Sequence, residues 1–237
     1  MSYSVVAMQS LRSGPGVEAL PAAAAMLFDV PTVRIVALAD THSWHDRLEV
    51  PDGDVLIHAG DLTHTGTAEQ LGKAADWLRG LPHRDKVVIA GNHDFGLQRQ
   101  PQQMRALFDG LTYLEDGEQT IQGLRIWGSP WQPEFFNWAY NLPRGAAIDA
   151  KWQLIPSGLD VLVTHGPPYG FGDRVYDGEL VGCRDLLRHC LAKKPRLHLY
   201  GHIHEDRGQW EEGGVRFVNV TTAESTLQAT VIDLTLR

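Results

Sequence analysis

Several large classes of protein are excluded by what the sequence has little of. No apolar run approaches the roughly 20 residues that a membrane-spanning helix needs. A signal peptide has a basic segment closely before its apolar stretch, and the apolar stretch 22–28 has none. Only two of the 237 residues are cysteine, Cys183 and Cys190. They share a segment with helical spacing, and seven residues of helix rise about 10 Å, too far for a disulfide. We therefore predict buried free thiols and a cytoplasmic protein without a membrane association.

Positive charge is also scarce. The chain carries 21 Lys and Arg against 29 Asp and Glu, a formal net charge of −8. Proteins that bind polymeric nucleic acid usually show a basic stripe, and none appears in this sequence. The net negative charge does not exclude a small anionic substrate, because a bound metal ion supplies positive charge locally.

The apolar residues, 43% of the chain, are enough for a self-sufficient core and are arranged as an α/β protein. Residues 1–32 form a predicted N-terminal extension, and 33–237 form one predicted domain. The predicted strands are 33–39, 55–59, 86–90, 160–164, 196–200, 215–220 and 227–234, with a hairpin of 119–121 and 124–127. The predicted helices lie at 67–80, 145–155 and around 183–191.

Five of the apolar runs end in a side chain that can bind a metal: Asp40, Asp61, Asn92, His165 and His202. Ligands of open α/β sheets bind beyond the carboxyl ends of strands. The local motifs are Asp40-Thr41-His42, Gly60-Asp61, Gly91-Asn92-His93-Asp94, His165 and Gly201-His202-Ile203-His204. Each motif alone is weak evidence for metal binding. Their joint occurrence at strand ends predicts one shared metal site.

In this order, the motifs resemble those of the calcineurin-like metallophosphoesterases. Segments 129–133, 141–145, 151–156, 160–168 and 195–205 are similar to the metallophosphoesterase-domain-containing proteins of vertebrates and their bacterial relatives. The resemblance implies a four-layer αββα sandwich, in which two mixed β-sheets are flanked by helices. Some relatives have glycine where this chain has His202.

The resemblance also implies two divalent metal ions, Mn, Fe or Zn, bridged by Asp61. Carboxylate, amide and imidazole donors suit such ions. Two ions lower the pKa of a shared water and clamp a phosphoryl group, so the implied nucleophile is a bridging hydroxide. His93 is the implied acid or transition-state stabiliser. The first ion would be held by Asp40, His42, Asp61 and His204, and the second by Asp61, Asn92, His165 and His202.

We predict a phosphodiesterase that acts on a small phosphoester, with cyclic or other nucleotide-type esters among the candidates. No Arg or Lys cluster lies near the motifs to grip a dianionic monoester. The alternatives are a phosphomonoesterase and a non-catalytic scaffold with the same fold. The sequence leaves the oligomeric state open, a dimer included.

Substrate contacts are predicted for Asn92 and His93 and, in the long segment 129–145, for Asn141 and Arg144. Prolines and glycines there favour an ordered loop. The alternative for Arg144 is a carboxylate partner that pins the loop. The aromatic residues Trp131, Phe135, Phe136 and Trp138 are interpreted as core or protein interface, in preference to a base-stacking wall. His45, His64 and His83 are interpreted as loop residues, with His45 solvated.

Overall fold

The computed structural model describes residues 31–237, so nearly all of the predicted N-terminal extension, 1–30, lies outside the described residues. Thirteen strands and five α-helices are present in the described range. The strands are β1 Thr32–Leu38, β2 Val55–Ala59, β3 Asp85–Ile89, β4 Thr112–Tyr113, β5 Gly117–Ile121, β6 Leu124–Ser129, β7 Gln132–Pro133, β8 Asn141–Leu142, β9 Val161–Thr164, β10 Leu197–Tyr200, β11 Gly208–Glu212, β12 Val215–Asn219 and β13 Thr230–Thr235. The helices are α1 Ala68–Gly80, α2 Phe95–Arg99, α3 Pro101–Ala106, α4 Ala146–Gln153 and α5 Arg184–Lys193.

Two large mixed sheets are built from these strands. The first has the order β13-β1-β2-β3-β4, and the second has the order β11-β12-β10-β9-β6-β5. In the first sheet β1 to β4 run parallel and β13 is antiparallel to β1. In the second, β12, β10, β9 and β6 run parallel, with antiparallel β11 and β5 at the edges.

The sheets pack face to face because their strands are apolar on both sides. In β1 the side chains of Val33, Ile35 and Ala37 belong to the core between the sheets. The alternate residues Val36 and Leu38 belong to a second core, beneath helices. Successive side chains of a strand point to opposite faces, so a strand buried on both faces reads as a continuous apolar run.

Helices cover the outer face of each sheet. Leu71, Ala74 and Leu78 of α1 join the outer core of the first sheet. Trp152 of α4 and Leu186 of α5 join the outer core of the second. The four-layer αββα prediction is therefore confirmed. Across residues 31–237 no helix is both long and apolar enough to cross a membrane.

Some local elements differ from the prediction. Helices α2 and α3 and strand β11 were not predicted, and segment 129–145 contains the short parallel pair β7–β8. Cys183 is the N-cap of α5, where its Sγ accepts a hydrogen bond from the backbone N–H of Leu186, and does not lie inside the helix. Both cysteines are buried and free, as predicted.

Candidate metal centre

The carboxyl ends of the two sheets meet at one edge of the sandwich. Backbone hydrogen bonds join them there: Ala39 donates to Val220 O at 3.1 Å, and Thr222 donates to Ala39 O at 2.9 Å. Five side chains follow strands of both sheets into this junction: Asp40 after β1, Asp61 after β2, Asn92 after β3, His165 after β9 and His202 after β10. The junction therefore brings together residues up to 162 positions apart in the chain.

Residues of the first predicted ligand set lie close together. One ligand atom each from Asp40, His42 and His204 falls within a mutual distance of 4.8 Å. His204 Nε2 is 3.9 Å from Asp40 Oδ1. His42 Nε2 is 3.6 Å from Asp61 Oδ2. This spacing leaves room for one cation between oxygen and nitrogen donors.

Residues of the second predicted set converge on the same carboxylate. Asp61, His165 and His202 again offer ligand atoms within 4.8 Å of one another. His165 Nε2 lies 3.4 Å from Asp61 Oδ2 and 2.9 Å from Asn92 Oδ1. Oxygen Oδ2 of Asp61 thus faces an imidazole of each set, the position a bridging ligand requires.

The hydrogen bonds of His165 show that the second set fits a cation. Its Nδ1 lies 3.0 Å from the carbonyl oxygen of Ala59, which only accepts, so Nδ1 carries a proton. In the neutral ring the lone pair of Nε2 then faces two further acceptor oxygens, those of Asp61 and Asn92. Burial alone would lower the pKa of His165, but the Asp61 carboxylate outweighs burial and raises the pKa to about 9. A divalent ion would replace this proton.

The buried carboxylates of the site point to the same conclusion. Asp40 and Asp61 are at most 2% exposed. Within residues 31–237 only histidines approach them as charged partners. Burial would raise the pKa of Asp61, but the imidazoles of His165 and His42 lower it well below its usual range. Two neighbouring carboxylates are costly to bury without Lys or Arg partners, and divalent ions would offset that cost.

The backbone that carries these ligands is strained. Asp40, Asp61 and His202 have φ angles of 58°, 55° and 72°, in the left-handed region that costs an L-residue about 1–2 kcal/mol. Surrounding hydrogen bonds hold this geometry. The backbone N–H of His202, for example, donates to both carboxylate oxygens of Asp40, at 3.1 and 3.0 Å. Strain of this kind clusters at functional sites.

The glycines of the motifs make room for ligands from other strands. A Cβ at Gly91 would lie 2.2 Å from Asp61 Oδ1, and one at Gly201 would lie 2.5 Å from Asp40 Oδ2. Each glycine therefore allows a neighbouring carboxylate to approach the backbone. This close approach explains why Gly precedes Asn92 and His202.

Asp94, the last residue of the Gly-Asn-His-Asp motif, braces two of the ligand loops. Its Oδ1 accepts from the backbone N–H and the hydroxyl of Thr63, at 3.0 and 2.8 Å. Its Oδ2 accepts from the backbone N–H groups of Leu62 and Gly91, at 3.2 and 2.9 Å. Burial, together with the nearby Asp61 carboxylate, raises the pKa of Asp94 to about 6. Asp94 thereby fixes the β2 and β3 loops relative to each other.

His93 is oriented toward the cleft above the ligands. Its backbone N–H donates to Asp61 Oδ1 at 2.8 Å. Its Nδ1 donates to the carbonyl oxygen of His64 at 2.9 Å, which leaves Nε2 as the ring nitrogen free to exchange a proton. The imidazole packs on Trp138 with ring centroids 4.2 Å apart. The cleft has a volume of about 390 Å³ and is lined by His42, Asp61, His64, Asn92, His93, Phe135, Phe136, Trp138, His202, His204, Glu205 and Glu224.

Comparison with known proteins agrees with this geometry. The sequence profile of a family described as calcineurin-like phosphoesterase matches residues 33–206. The chain belongs to this family. It is 41% identical over 230 residues to human metallophosphoesterase domain-containing protein 1, a match that covers 85% of this chain and 71% of the relative. A solved structure of a Thermus thermophilus protein aligns with a TM-score of 0.58 at 15% identity, over 87% of this chain and 100% of that one, and so shows the same fold.

A further relative of this phosphoesterase carries an activity in its name. A Synechococcus protein named "Probable cyclic nucleotide phosphodiesterase" is 28% identical over 163 residues. The match covers 64% of this chain and 58% of the relative. The family and the Asp and His clusters together support metal binding by this phosphoesterase.

Asn141 and Arg144 are held by the protein itself in this phosphoesterase. Asn141 Nδ2 donates to the carbonyl oxygens of Phe135 and Phe136, at 2.7 and 3.3 Å. Arg144 donates to the carbonyl oxygens of Gly182 and Val181, at 2.7 and 2.5 Å. Its partners are therefore backbone carbonyls, and the carboxylate partner weighed from the sequence is wrong. Neither residue lines the metal cleft, and substrate contact by either stays a prediction.

The structure corrects two interpretations, one of the aromatic residues and one of a histidine. Phe135, Phe136 and Trp138 line the cleft, and Phe136 is 83% exposed, so the core interpretation is wrong for them. Trp131 does pack against the core. His45 is buried against Trp77, at a centroid distance of 5.0 Å, and is not solvated.

His64 is a cleft residue that the sequence did not reveal. Its ring stacks on His42 at a centroid distance of 5.7 Å. Its position three residues after Asp61, in the loop that follows β2, was the one available signal. His83, also interpreted as a loop residue, is buried, with Nε2 3.0 Å from Pro51 O.

Proposed function

We propose that this phosphoesterase is a phosphodiesterase that hydrolyses small phosphodiesters rather than polymeric nucleic acid, with nucleotide-type esters in its range. The observation that carries the proposal is the charge of the cleft. Its lining residues within the described part of the chain include no Lys or Arg, while Glu205 and Glu224 lie at its rim.

This charge distribution favours a diester over a monoester. A phosphodiester carries one negative charge near neutral pH, whereas a monoester carries up to two. Carboxylates at the rim repel the second charge more than the first. Only the metal ions would neutralise the two charges of a monoester, whereas a diester has one charge to neutralise.

A diester also makes a greater demand on proton donation, which His93 is placed to meet. An alkoxide or aryloxide leaving group departs more readily when it is protonated. Nδ1 of His93 keeps its proton in the hydrogen bond to the carbonyl oxygen of His64, so the proton that is transferred comes from Nε2. In the overall reaction, water oxygen forms a new bond to phosphorus and the bond to the leaving oxygen breaks. The leaving oxygen takes the Nε2 proton. The proton released by the attacking water restores the Nε2 proton through solvent.

Asp40, His42, Asp61 and His204 would hold one ion, and Asp61, Asn92, His165 and His202 would hold the other. When bound, the two ions supply a nucleophile from water at neutral pH and neutralise phosphoryl oxygens. Nitrogen and oxygen donors without thiolate suit Mn, Fe or Zn. The chain itself orients the site. Asp94 braces two loops. The backbone N–H groups of His93 and His202 donate to Asp61 and Asp40.

The name of the Synechococcus relative supports the same assignment. That name also supports nucleotide-type esters as members of the proposed substrate range. The aromatic side chains of Phe135 and Trp138 in the cleft wall are suited to stack on a planar group. The Trp138 ring packs on His93, where a leaving group would be placed.

The test compares matched esters of one leaving group. Protein stripped with EDTA and reloaded with Mn²⁺ is assayed on bis(4-nitrophenyl) phosphate and on 4-nitrophenyl phosphate. We expect kcat/KM to be at least tenfold higher for the diester. A preference for the monoester, repeated with a second leaving group, would overturn the diesterase assignment. Absence of turnover with both, in protein that has bound two ions, would favour the scaffold alternative.

A further inference from the structure

A second cavity opens beside the metal cleft. It has a volume of about 350 Å³. Phe135, His202 and Glu205 line both spaces, so the two are contiguous. Most of the remaining lining is apolar: Pro133, Gly166, Pro167, Val175, Val181, Gly182 and Ile203, with Glu134 and Arg144 beside them.

Two loops form the facing walls of this cavity. One wall is the segment 133–144 and the other is the segment 166–182. Arg144 ties them together, because it lies on the first and donates to the carbonyl oxygens of Val181 and Gly182 on the second. The second loop is also fixed internally, where the backbone N–H of Gly182 donates to Asp173 Oδ2 at 2.9 Å. The cavity is therefore preformed.

The position of Phe135 separates the two sides of the site. Its ring lies against His202 at a centroid distance of 5.0 Å, and both residues stand where the cleft joins the cavity. His93 and Trp138 line the metal cleft but not the cavity. A leaving group protonated by His93 therefore lies on the Trp138 side. The other ester arm of the diester is bound to the same phosphorus and therefore extends toward the cavity.

We propose that this cavity binds the retained arm of the diester, and that it selects an uncharged aryl or alkyl group. The proposal rests on the diesterase function proposed above. An apolar lining favours groups that leave water. Glu134 and Glu205 disfavour an anionic arm, and two N–H groups of Arg144 are already engaged by carbonyl oxygens. Arg144 is a positioning residue that holds the cavity wall.

The first test varies only the retained arm. Methyl 4-nitrophenyl phosphate and phenyl 4-nitrophenyl phosphate share the leaving group, because 4-nitrophenolate departs more readily than methoxide or phenolate. We expect kcat/KM to be about tenfold or more higher for the phenyl ester, mainly through a lower KM, since pocket burial of apolar groups gives selectivity of this size. Equal kcat/KM values would overturn the cavity proposal while leaving the diesterase function intact. If neither diester is cleaved, the proposed function fails first.

The second test fills the cavity. Val175→Trp should remove most of the preference for the phenyl ester, measured as the ratio of kcat/KM for the phenyl ester to that for the methyl ester. Tyr176→Ala is the matched control, because Tyr176 is the next residue, is 89% exposed and does not line the cavity. If Val175→Trp does not fold, Val181→Thr adds a hydroxyl at nearly constant shape and should reduce the preference several-fold. A preference that survives in the folded variant would overturn the proposal.

Discussion

The two sheets contribute different chemistry to one site. The loops after β1, β2 and β3 of the first sheet supply every carboxylate and amide of the predicted ligand sets, together with one imidazole: Asp40, His42, Asp61 and Asn92. The loops after β9 and β10 of the second sheet supply only imidazoles: His165, His202 and His204. The negative charge that would attract cations therefore comes from one sheet, while the other completes the coordination with neutral donors.

The two sides also differ in how firmly they are built. On the first side Asp40 and Asp61 are almost fully buried, and Asp94 braces the adjoining loops with four hydrogen bonds. On the second side the side chain of His204 is 33% exposed and lies in a single 3₁₀ turn. His165 of the second sheet is as deeply buried as the carboxylates, so the loosely enclosed part of the site is the turn that carries His204. This comparison predicts that substitutions on the two sides have unequal consequences.

The largest effect is expected at Asp61, where the two sheets meet. Asp61→Asn keeps the shape of the side chain but removes the charge shared by both ligand sets. We expect loss of high-affinity binding of both ions and a fall in kcat/KM beyond the 10²–10⁴-fold range of one positioned acid. Metal content by mass spectrometry and turnover of a diester measure the two effects.

The control for Asp61→Asn is Asp233→Asn. Asp233 pairs with Arg34 in an exposed salt bridge on β13 and β1, away from the ligand loops. This variant should bind two ions with unchanged affinity. Two ions bound to Asp61→Asn at the affinity of the unmodified protein would contradict the bridging role.

The second-largest effect is expected at His93, which follows β3 of the first sheet. Its substitution should separate catalysis from metal binding. His93→Ala should lower kcat by about 10²–10⁴-fold, the usual range for a positioned acid or base. Both ions should remain bound, because His93 lies outside the predicted ligand sets. Loss of both ions in this variant would show that His93 is structural, and an unchanged kcat would remove it from the reaction.

A smaller effect is expected on the second sheet. His204→Ala removes one imidazole from the first ligand set and leaves Asp61 and the second set complete. We expect one bound ion per chain in place of two. Loss of a supporting contact alone costs about 10–100-fold in metal affinity, so loss of the ligand should cost at least that much at one site. If both ions were lost equally, the two sheets would not differ as proposed.

The smallest effect concerns the helices that cover the second sheet. Asp149 of α4 accepts a hydrogen bond from His189 of α5 at 2.8 Å. Hydrogen bonds from His189 and Gln153 lower the pKa of Asp149 to about 2. A carboxyl whose pKa is lower in the folded state stabilises the fold fully above its unfolded pKa, near 3.8, and loses that effect as pH falls through about 2.

The corresponding variant is Asp149→Asn. At pH 6 we expect its melting temperature to lie about 1–3 °C below that of the unmodified protein, since partly exposed ion pairs contribute little. The difference should shrink as pH falls from 4 toward 2. A difference that is constant over this range would mean that the charge of Asp149 does not stabilise the contact between α4 and α5.

Strands and their ends were predictable because they depend on short stretches of chain. The buried strands are continuous apolar runs, and a polar ligand residue follows at once, so the α/β class follows from local pattern. The resemblance then supplied the two-sheet arrangement, which the structure confirms. The seven predicted ligand residues are brought together by the fold, although their role as ligands stays a prediction.

The features that were missed depend on contacts between distant parts of the chain. The burial of His45 follows from its packing against Trp77 of α1, which no local pattern indicates. The partners of Arg144 lie almost 40 residues away, on the loop before α5. Strand β11 is polar and lies at the edge of its sheet, so apolar periodicity does not predict it.

The left-handed backbone at His202 has an evolutionary consequence. Glycine adopts such a φ angle without the steric cost that a histidine incurs. Replacement of His202 by glycine therefore removes one imidazole from the site while it relieves conformational strain. At this position the steric preference of the backbone therefore opposes the ligand, and only a gain from the imidazole itself would keep histidine there.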